Sequence, residues 1–245
     1  MGIAEQIRKK QTLGKKQFAL LIDPDSASEG DVIKLCGSAS EANVDMIFVG
    51  GSLMTNGSMD KVINSIHSNC NIPAVIFPGD PSQVSSSADA ILFLSLISGR
   101  NPEMLIGRHV MSAPVLKRAG IEVIPTGYML IDSGTQTTAS YMSGTTPIPH
   151  DKNDIAACTA LAGEMLGLNA IFMDGGSGAK NPISEEMIAT VRSQISVPLF
   201  TGGGIRTPEK ALANCKAGAD VVVVGNAIEK DPTLLSELAS AIHSC

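Results

Sequence analysis

Residues 198–226 read PLFTGGGIRTPEKALANCKAGADVVVVGN. Two short runs, Pro198–Thr201 and Val221–Val224, are apolar throughout rather than alternately. That is the pattern of parallel strands buried on both faces. Each run ends in glycine, at Gly202-Gly203-Gly204 and at Gly225-Asn226. Between them Thr207-Pro208 pairs a cap residue with the proline that suits a first helical position, and Pro208–Ala217 has helical spacing. One strand–turn–helix–strand–turn unit is therefore legible in 29 residues.

The same unit repeats upstream. Apolar runs occur at Gln17–Ile22, Met46–Val49, Ala74–Phe77, Ala90–Leu94, Glu122–Pro125 and Ala170–Met173, and all six phenylalanines of the chain lie in these runs or in Pro198–Thr201. Helical spacing follows at Asp31–Glu41, Met59–His67, Pro102–Lys117, Asn153–Leu166, Ser184–Gln194 and, after the last run, Pro232–Ile242. Eight strands alternating with helices in 245 residues predict a single domain over 1–245 with the (β/α)8 TIM-barrel fold. A doubly wound open sheet is the alternative. Two intervals break the rhythm. Pro78–Asp89 is too short for a full helix with its loops, which predicts a short or missing helix between strands three and four. Thr126–Lys152 is long, and long ordered loops in compact domains are usually functional.

Composition narrows the class. Apolar residues make up 44% of the chain, enough for a large core. A net charge of -6 with no basic block argues against a nucleic-acid partner. Five widely spaced cysteines without a C-x-x-C pair point to a reducing compartment and against structural zinc. With no signal peptide and no membrane span, a soluble cytoplasmic protein is expected, with transient contact to a membrane surface left open.

In a TIM barrel the chemistry sits at the ends of the strands that lead into the βα loops. The residues there are Asp23-Pro24-Asp25, Gly50-Gly51-Ser52, Asp174-Gly175-Gly176-Ser177-Gly178, Gly202-Gly203-Gly204-Ile205-Arg206 and Gly225-Asn226. Glycine turns after strands seven and eight, each leading into a helix, predict a phosphate site, because bare amides and a helix N-terminus both favour an oxyanion. Asp174 can act as a general base, with neighbouring amides or the Ser177 hydroxyl on phosphate; the bland alternative is a capped turn. Asp23 and Asp25 are hard oxygen donors suited to Mg²⁺ bridging to a diphosphate, or else a capped turn, and Ser52 could add a hydroxyl. Arg206 is either a further phosphate contact or a surface ion pair. No histidine or lysine directly follows a predicted strand, which argues against a His-based triad and a Schiff base.

Taken in order, these residues resemble the geranylgeranylglyceryl phosphate synthase family, including its bacterial heptaprenylglyceryl phosphate synthase branch. The resemblance runs through Leu21-Ile22-Asp23-Pro24-Asp25, Val49-Gly50-Gly51-Ser52, Ile124-Pro125-Thr126-Gly127-Tyr128 to Pro147-Ile148-Pro149, Phe172–Ala179, Thr201–Arg206 and Val224-Gly225-Asn226. It implies a prenyltransferase that joins the 3-hydroxyl of sn-glycerol 1-phosphate to C1 of geranylgeranyl diphosphate and releases diphosphate. It implies Mg²⁺ held by Asp23 and Ser52. It implies a glycerol phosphate site of Phe172, Met173, Asp174, Gly175, Gly176, Ser177, Gly178, Gly203, Gly204, Gly225 and Asn226, with Tyr128 nearby and Asp174 as the catalytic base. A homo-oligomer is also implied. Asp174 stands where the family usually has glutamate, and Phe172 where it usually has tyrosine. The apolar tail is expected near Phe77, Phe93, Leu94 and Leu96, beside the thin layer. The same scaffold would also suit another prenyl length, a sugar-phosphate isomerase or FMN enzyme, or a non-catalytic prenyl-lipid binder.

Overall fold

The computed structural model describes residues 1–245. Eight parallel strands close into a barrel in sequence order: β1 (Gln17–Ile22), β2 (Met46–Val49), β3 (Ala74–Ile76), β4 (Ala90–Leu96), β5 (Glu122–Leu130), β6 (Ala170–Asp174), β7 (Leu199–Gly202) and β8 (Val221–Val224). β1 pairs with β8 through Gln17↔Val221 to Leu20↔Val224, so no sheet edge remains. The open-sheet alternative is thereby excluded.

The pleat sorts side chains into two cores. Residues of one phase, among them Ala19, Phe48, Val75, Leu92, Ile124, Phe172, Phe200 and Val223, fill the barrel interior. Residues of the other phase, such as Leu20, Ile47, Ile171 and Met173, pack outward against the helices. Phe48, Phe77, Phe172 and Phe200 form a ring of stacked or tilted aromatics, with centroid separations from 5.0 Å (Phe77–Phe172) to 6.2 Å (Phe48–Phe200). This ring is the floor on which the barrel mouth stands.

Helices return the chain after every strand but one. Pro78–Asp89 forms turns only, so the ring of helices is open between β3 and β4, as the spacing predicts. After β4 a π-helical turn, Glu103–Gly107, runs into the helix Arg108–Ala119. β5 is longer than the sequence suggests. Pro125 reads as a terminator, yet the β5–β6 ladder begins at Thr126↔Ala170, so Pro125 lies outside it and its missing N–H breaks no bond there. The extension puts Tyr128 on the strand, in register with Phe172.

A helix the sequence reading missed, Ile3–Thr12, closes the other end. Ile3 and Ile7 plug the barrel bottom, and the Glu122 carboxylate accepts from the Ile3 and Ala4 amides. Its cap is supplied from far along the chain, so no local signal announces it. Beside it, Asp45 ties three elements together. It accepts from Lys10, from the Phe18 amide at 2.8 Å and from His243 at 2.9 Å. Burial alone would raise its carboxyl, but these bonds outweigh burial and hold it below the ordinary carboxylate range. A depressed folded pKa means stability that is present above the unfolded pKa and lost as pH falls through the folded one. Asp45→Asn is expected to destabilise the protein by about 2 kcal/mol at neutral pH. Thermal melts should show the gap between the two proteins closing in acid.

Candidate active site

The barrel mouth opens into a cavity of about 1030 Å³. Asp174 ends β6 one pleat above Phe172, so it points into the mouth while Ile171 and Met173 point away. The phenol of Tyr128 donates to Asp174 Oδ2 at 2.5 Å, and the Gly176 amide donates to Oδ1 at 2.7 Å. Each carboxylate oxygen keeps a further lone pair for a ligand. Asp174 is only 7% exposed. Burial raises its carboxyl above the ordinary range, with the bonds from Tyr128 and Gly176 partly opposing the rise. Tyr128 is pushed well up by burial and by the adjacent carboxylate, so it stays a donor. A buried carboxylate with a raised pKa at a barrel mouth has the properties a general base needs.

Three glycine turns surround it. Gly203 lies at φ +83°, and a Cβ there would fall 2.7 Å from the amides of both Gly175 and Gly176. Only glycine lets the β7 turn nest against the β6 turn in this way. Ser177 and Asn226 hydrogen-bond across from β6 to β8 at 3.3 to 3.4 Å, joining the third turn. The expected helix ends contribute less than the sequence suggested. Ile205, Arg206 and Thr207 separate the β7 turn from the helix Pro208–Ala217, and the helix after Gly225, Asn226–Lys230, has only five residues. An oxyanion at these turns would therefore meet loop amides rather than helix dipoles. Arg206 lines the cavity and enters no ion pair. It donates to the carbonyls of Ala179 and Lys180 and so fixes the β6 loop.

Across the mouth, Asp23 follows Ala19 and Leu21 in the inward phase of β1. Its Oδ1 accepts from the Asp25 amide at 2.9 Å. Its Oδ2 faces the space above Gly51, where a Cβ would stand 2.9 Å away. Burial raises the Asp23 carboxyl, against the Asp25 amide bond that lowers it, and the Asp25 charge raises it further. A partly buried carboxylate with one free oxygen over a glycine fits a divalent cation, and Ser52 lines the same cavity. Asp25 does not share this role. Its carboxylate is engaged by Thr55 (N and Oγ1), Asn56 N and Gly57 N, and it anchors the β2 loop.

Of the anticipated residues, Asp23, Ser52, Tyr128, Phe172, Asp174, Gly176, Ser177, Gly178, Gly203, Gly204, Gly225 and Asn226 line this one cavity. Met173 and Gly175 do not. Met173 is packed in the outer core, and the Gly175 amide is spent on the Gly202 carbonyl. Phe172 is buried in the aromatic ring, stacked 5.0 Å from Phe77, so it forms floor rather than a polar contact. Sequence reasoning missed Thr138 and Met142, on the short helix Thr138–Ser143, and Arg108, His109 and Ser112. The length of the Thr126–Lys152 interval was the only signal for the first two.

The apolar side of the cavity runs past Phe77, Phe93, Leu94, Leu96 and Met104 toward the gap between β3 and β4. An apolar groove and three glycine turns thus meet at one buried carboxylate.

The chain is similar in sequence and fold to known proteins. A model described as the PcrB family matches residues 8–242. A geranylgeranylglyceryl phosphate synthase of Chitinophaga pinensis is 57% identical over 235 residues, covering 96% of this chain and 93% of that protein. One of Thermococcus kodakarensis is 44% identical, covering 88% and 85%. The crystal structure of (S)-3-O-geranylgeranylglyceryl phosphate synthase from Thermoplasma acidophilum in complex with sn-glycerol-1-phosphate superposes with a TM-score of 0.94 at 32% identity over the whole of both chains.

Proposed function

The chain belongs to the PcrB family, and on that premise we propose how its barrel mouth forms an ether lipid precursor. It is a prenyltransferase of the geranylgeranylglyceryl phosphate synthase type. The 3-hydroxyl oxygen of sn-glycerol 1-phosphate bonds to C1 of the prenyl diphosphate, and the C1–O bond to diphosphate breaks with its electron pair leaving on diphosphate. In our reading the donor is geranylgeranyl diphosphate.

The amides and side chains of Ser177, Gly178, Gly203, Gly204, Gly225 and Asn226 hold the phosphate, while the Gly176 amide stays on Asp174. They present a fixed set of donors from three loops, as an oxyanion requires. Asp174 accepts the hydroxyl proton on the lone pair left free by Tyr128 and Gly176. Tyr128 fixes that carboxylate in place and keeps it ionised by donating to it. The C20 tail, roughly 20 Å when extended, follows the apolar wall by Phe77, Phe93 and Leu96. Asp23 and Ser52 would hold Mg²⁺ against the diphosphate, where it would neutralise charge on the leaving group. The five free thiols suit a cytoplasmic site of action, and no helix is long and apolar enough to cross a membrane. Assembly into at least a dimer belongs to the same reading and is open to sedimentation analysis.

The observation that carries the proposal is the buried Tyr128–Asp174 pair standing where the glycine cradle meets the apolar groove. Diphosphate release should require both substrates together. Release that ignores sn-glycerol 1-phosphate would remove Asp174 from its assigned role. Asp23→Asn is expected to raise the Mg²⁺ concentration for half-maximal rate roughly tenfold or more, since the pair's only carboxylate loses its charge. An unchanged Mg²⁺ titration would place the metal elsewhere.

A further inference from the structure

Strand β3 alone is followed by no helix, and the segment in its place is built on buried polar side chains. Gln83 is 2% exposed and Ser85 3%. The Gly79 amide donates to Gln83 Oε1 at 2.9 Å, and Gln83 Nε2 donates to the Gly51 carbonyl at 3.1 Å. Turning the carboxamide over would set donor against donor and acceptor against acceptor, so the two backbone groups select this orientation. Two residues on, Ser85 Oγ donates to the Asp60 carboxylate in the first turn of the helix Met59–Asn69. Residues 78–85 therefore form a strap across the β2 loop, joined to Gly51 at its start and to Asp60 just past its end.

Backbone contact reinforces these bonds. A Cβ on Gly79 would run into the Gly51 carbonyl oxygen and stand 2.9 Å from Ser52 Cα. On its other side Gly51 lies against Asp23, since its own Cβ would stand 2.9 Å from Oδ2. The Gly51-Ser52 backbone is thus one layer between the strap and the carboxylate assigned to the metal, and Asp23, Ser52 and Gln83 all line the same cavity. The far end of this loop is held from β1, where Asp25 accepts from the amides of Thr55, Asn56 and Gly57. Metal ligands depend on the groups that orient them. We propose that Gln83 is a positioning residue for the diphosphate end of the site: its bond to the Gly51 carbonyl holds the Gly51-Ser52 backbone, and through it the Ser52 hydroxyl, beside Asp23. Its carboxamide is engaged at both ends and nearly inaccessible, so it acts through this backbone and not on the substrate. The inference rests on the assignment of Asp23 and Ser52 to Mg²⁺ and diphosphate.

The test is calorimetric titration of the full chain with inorganic diphosphate in the presence of Mg²⁺, and separately with sn-glycerol 1-phosphate. Gln83→Met keeps the length and bulk of the side chain and removes both bonds. It is expected to weaken diphosphate binding roughly tenfold or more and to leave the affinity for glycerol phosphate unchanged. In turnover, KM for the prenyl diphosphate and the Mg²⁺ concentration for half-maximal rate should rise together, with KM for glycerol phosphate unmoved. Gly79→Ala presses on the same carbonyl while keeping Gln83, and should reproduce the selective loss even if Gln83→Met does not fold. Diphosphate binding by both variants equal to wild type, with Asp23→Asn or Ser52→Ala weakened, overturns the proposal and leaves the metal assignment standing. Equal losses for diphosphate and glycerol phosphate overturn it too, because Gln83 would then only support the fold. If wild type takes up no diphosphate with Mg²⁺, or if Asp23→Asn and Ser52→Ala bind it as wild type does, the metal assignment falls and the proposal with it.

Discussion

Asp174→Asn is expected to lower kcat/KM by roughly 10³-fold, the range associated with removing a positioned general base. The change is nearly isosteric and keeps an acceptor for either Tyr128 or Gly176, so the cradle should survive and glycerol phosphate should still bind. A drop confined to KM would mean that Asp174 only binds substrate. The pH profile carries the same argument. The base must be ionised, and burial holds its carboxyl above the ordinary range, so the acid limb of kcat/KM should lie above that of an exposed aspartate. Tyr128→Phe deletes a bond that lowers this pKa and should move the limb to still higher pH. Stability runs the other way. A raised folded pKa means the native state binds more protons than the unfolded one between the two pKa values, so stability falls as pH rises through that window. Melts across the window should show wild type losing ground to Asp174→Asn as the carboxylate ionises.

Gly203→Ala is expected to raise KM for sn-glycerol 1-phosphate roughly a hundredfold, because the Gly203 and Gly204 amides assigned to the phosphate, charge-assisted contacts worth about 1.5–3 kcal/mol each, are displaced together. The added methyl would meet the Gly175 and Gly176 amides at 2.7 Å and Asp174 Oδ1 at 2.8 Å. Backbone strain adds about 1–2 kcal/mol for alanine at a left-handed φ. The β7 turn must therefore back away, which opens the cradle and shifts the base. Titrating glycerol phosphate against both proteins, by calorimetry and by initial rate, separates weaker binding from misplaced chemistry. An unaltered affinity would show that these amides do not hold the phosphate.

The barrel was legible because its signals are local. Each strand is a short apolar run closed by glycine, proline or a polar residue, and the T-P cap at Thr207-Pro208 marks a helix start the structure keeps. The gap after β3 was legible from length alone. Features that depend on distant partners were not. The helix Ile3–Thr12 takes its cap from Glu122, and Tyr128 sits on a strand only because β6 begins late enough to spare Pro125. At the site, the inward phase of β6 gives Asp174 from sequence, yet listing Met173 beside it ignored the same alternation. Asp25 and Arg206 look like ligands because they are charged and follow strands. What they bind is mainly backbone of the neighbouring loop, the β2 loop for Asp25 and the β6 loop for Arg206, which spacing does not reveal. Arg108, His109 and Ser112 approach the cavity from a helix, where nothing in their own sequence points to the mouth.

The central claim is that one buried carboxylate joins a glycerol phosphate held by glycine turns to a prenyl chain held by the β3–β4 groove. The most direct measurement is incubation with radiolabelled sn-glycerol 1-phosphate, Mg²⁺ and prenyl diphosphates of graded length, followed by chromatography of the dephosphorylated lipid. The account predicts label in an ether-linked lipid, strongest with the C20 donor and formed roughly 10³-fold more slowly by Asp174→Asn. Label that stays in the aqueous phase with every donor, from folded protein that still binds glycerol phosphate, would contradict it.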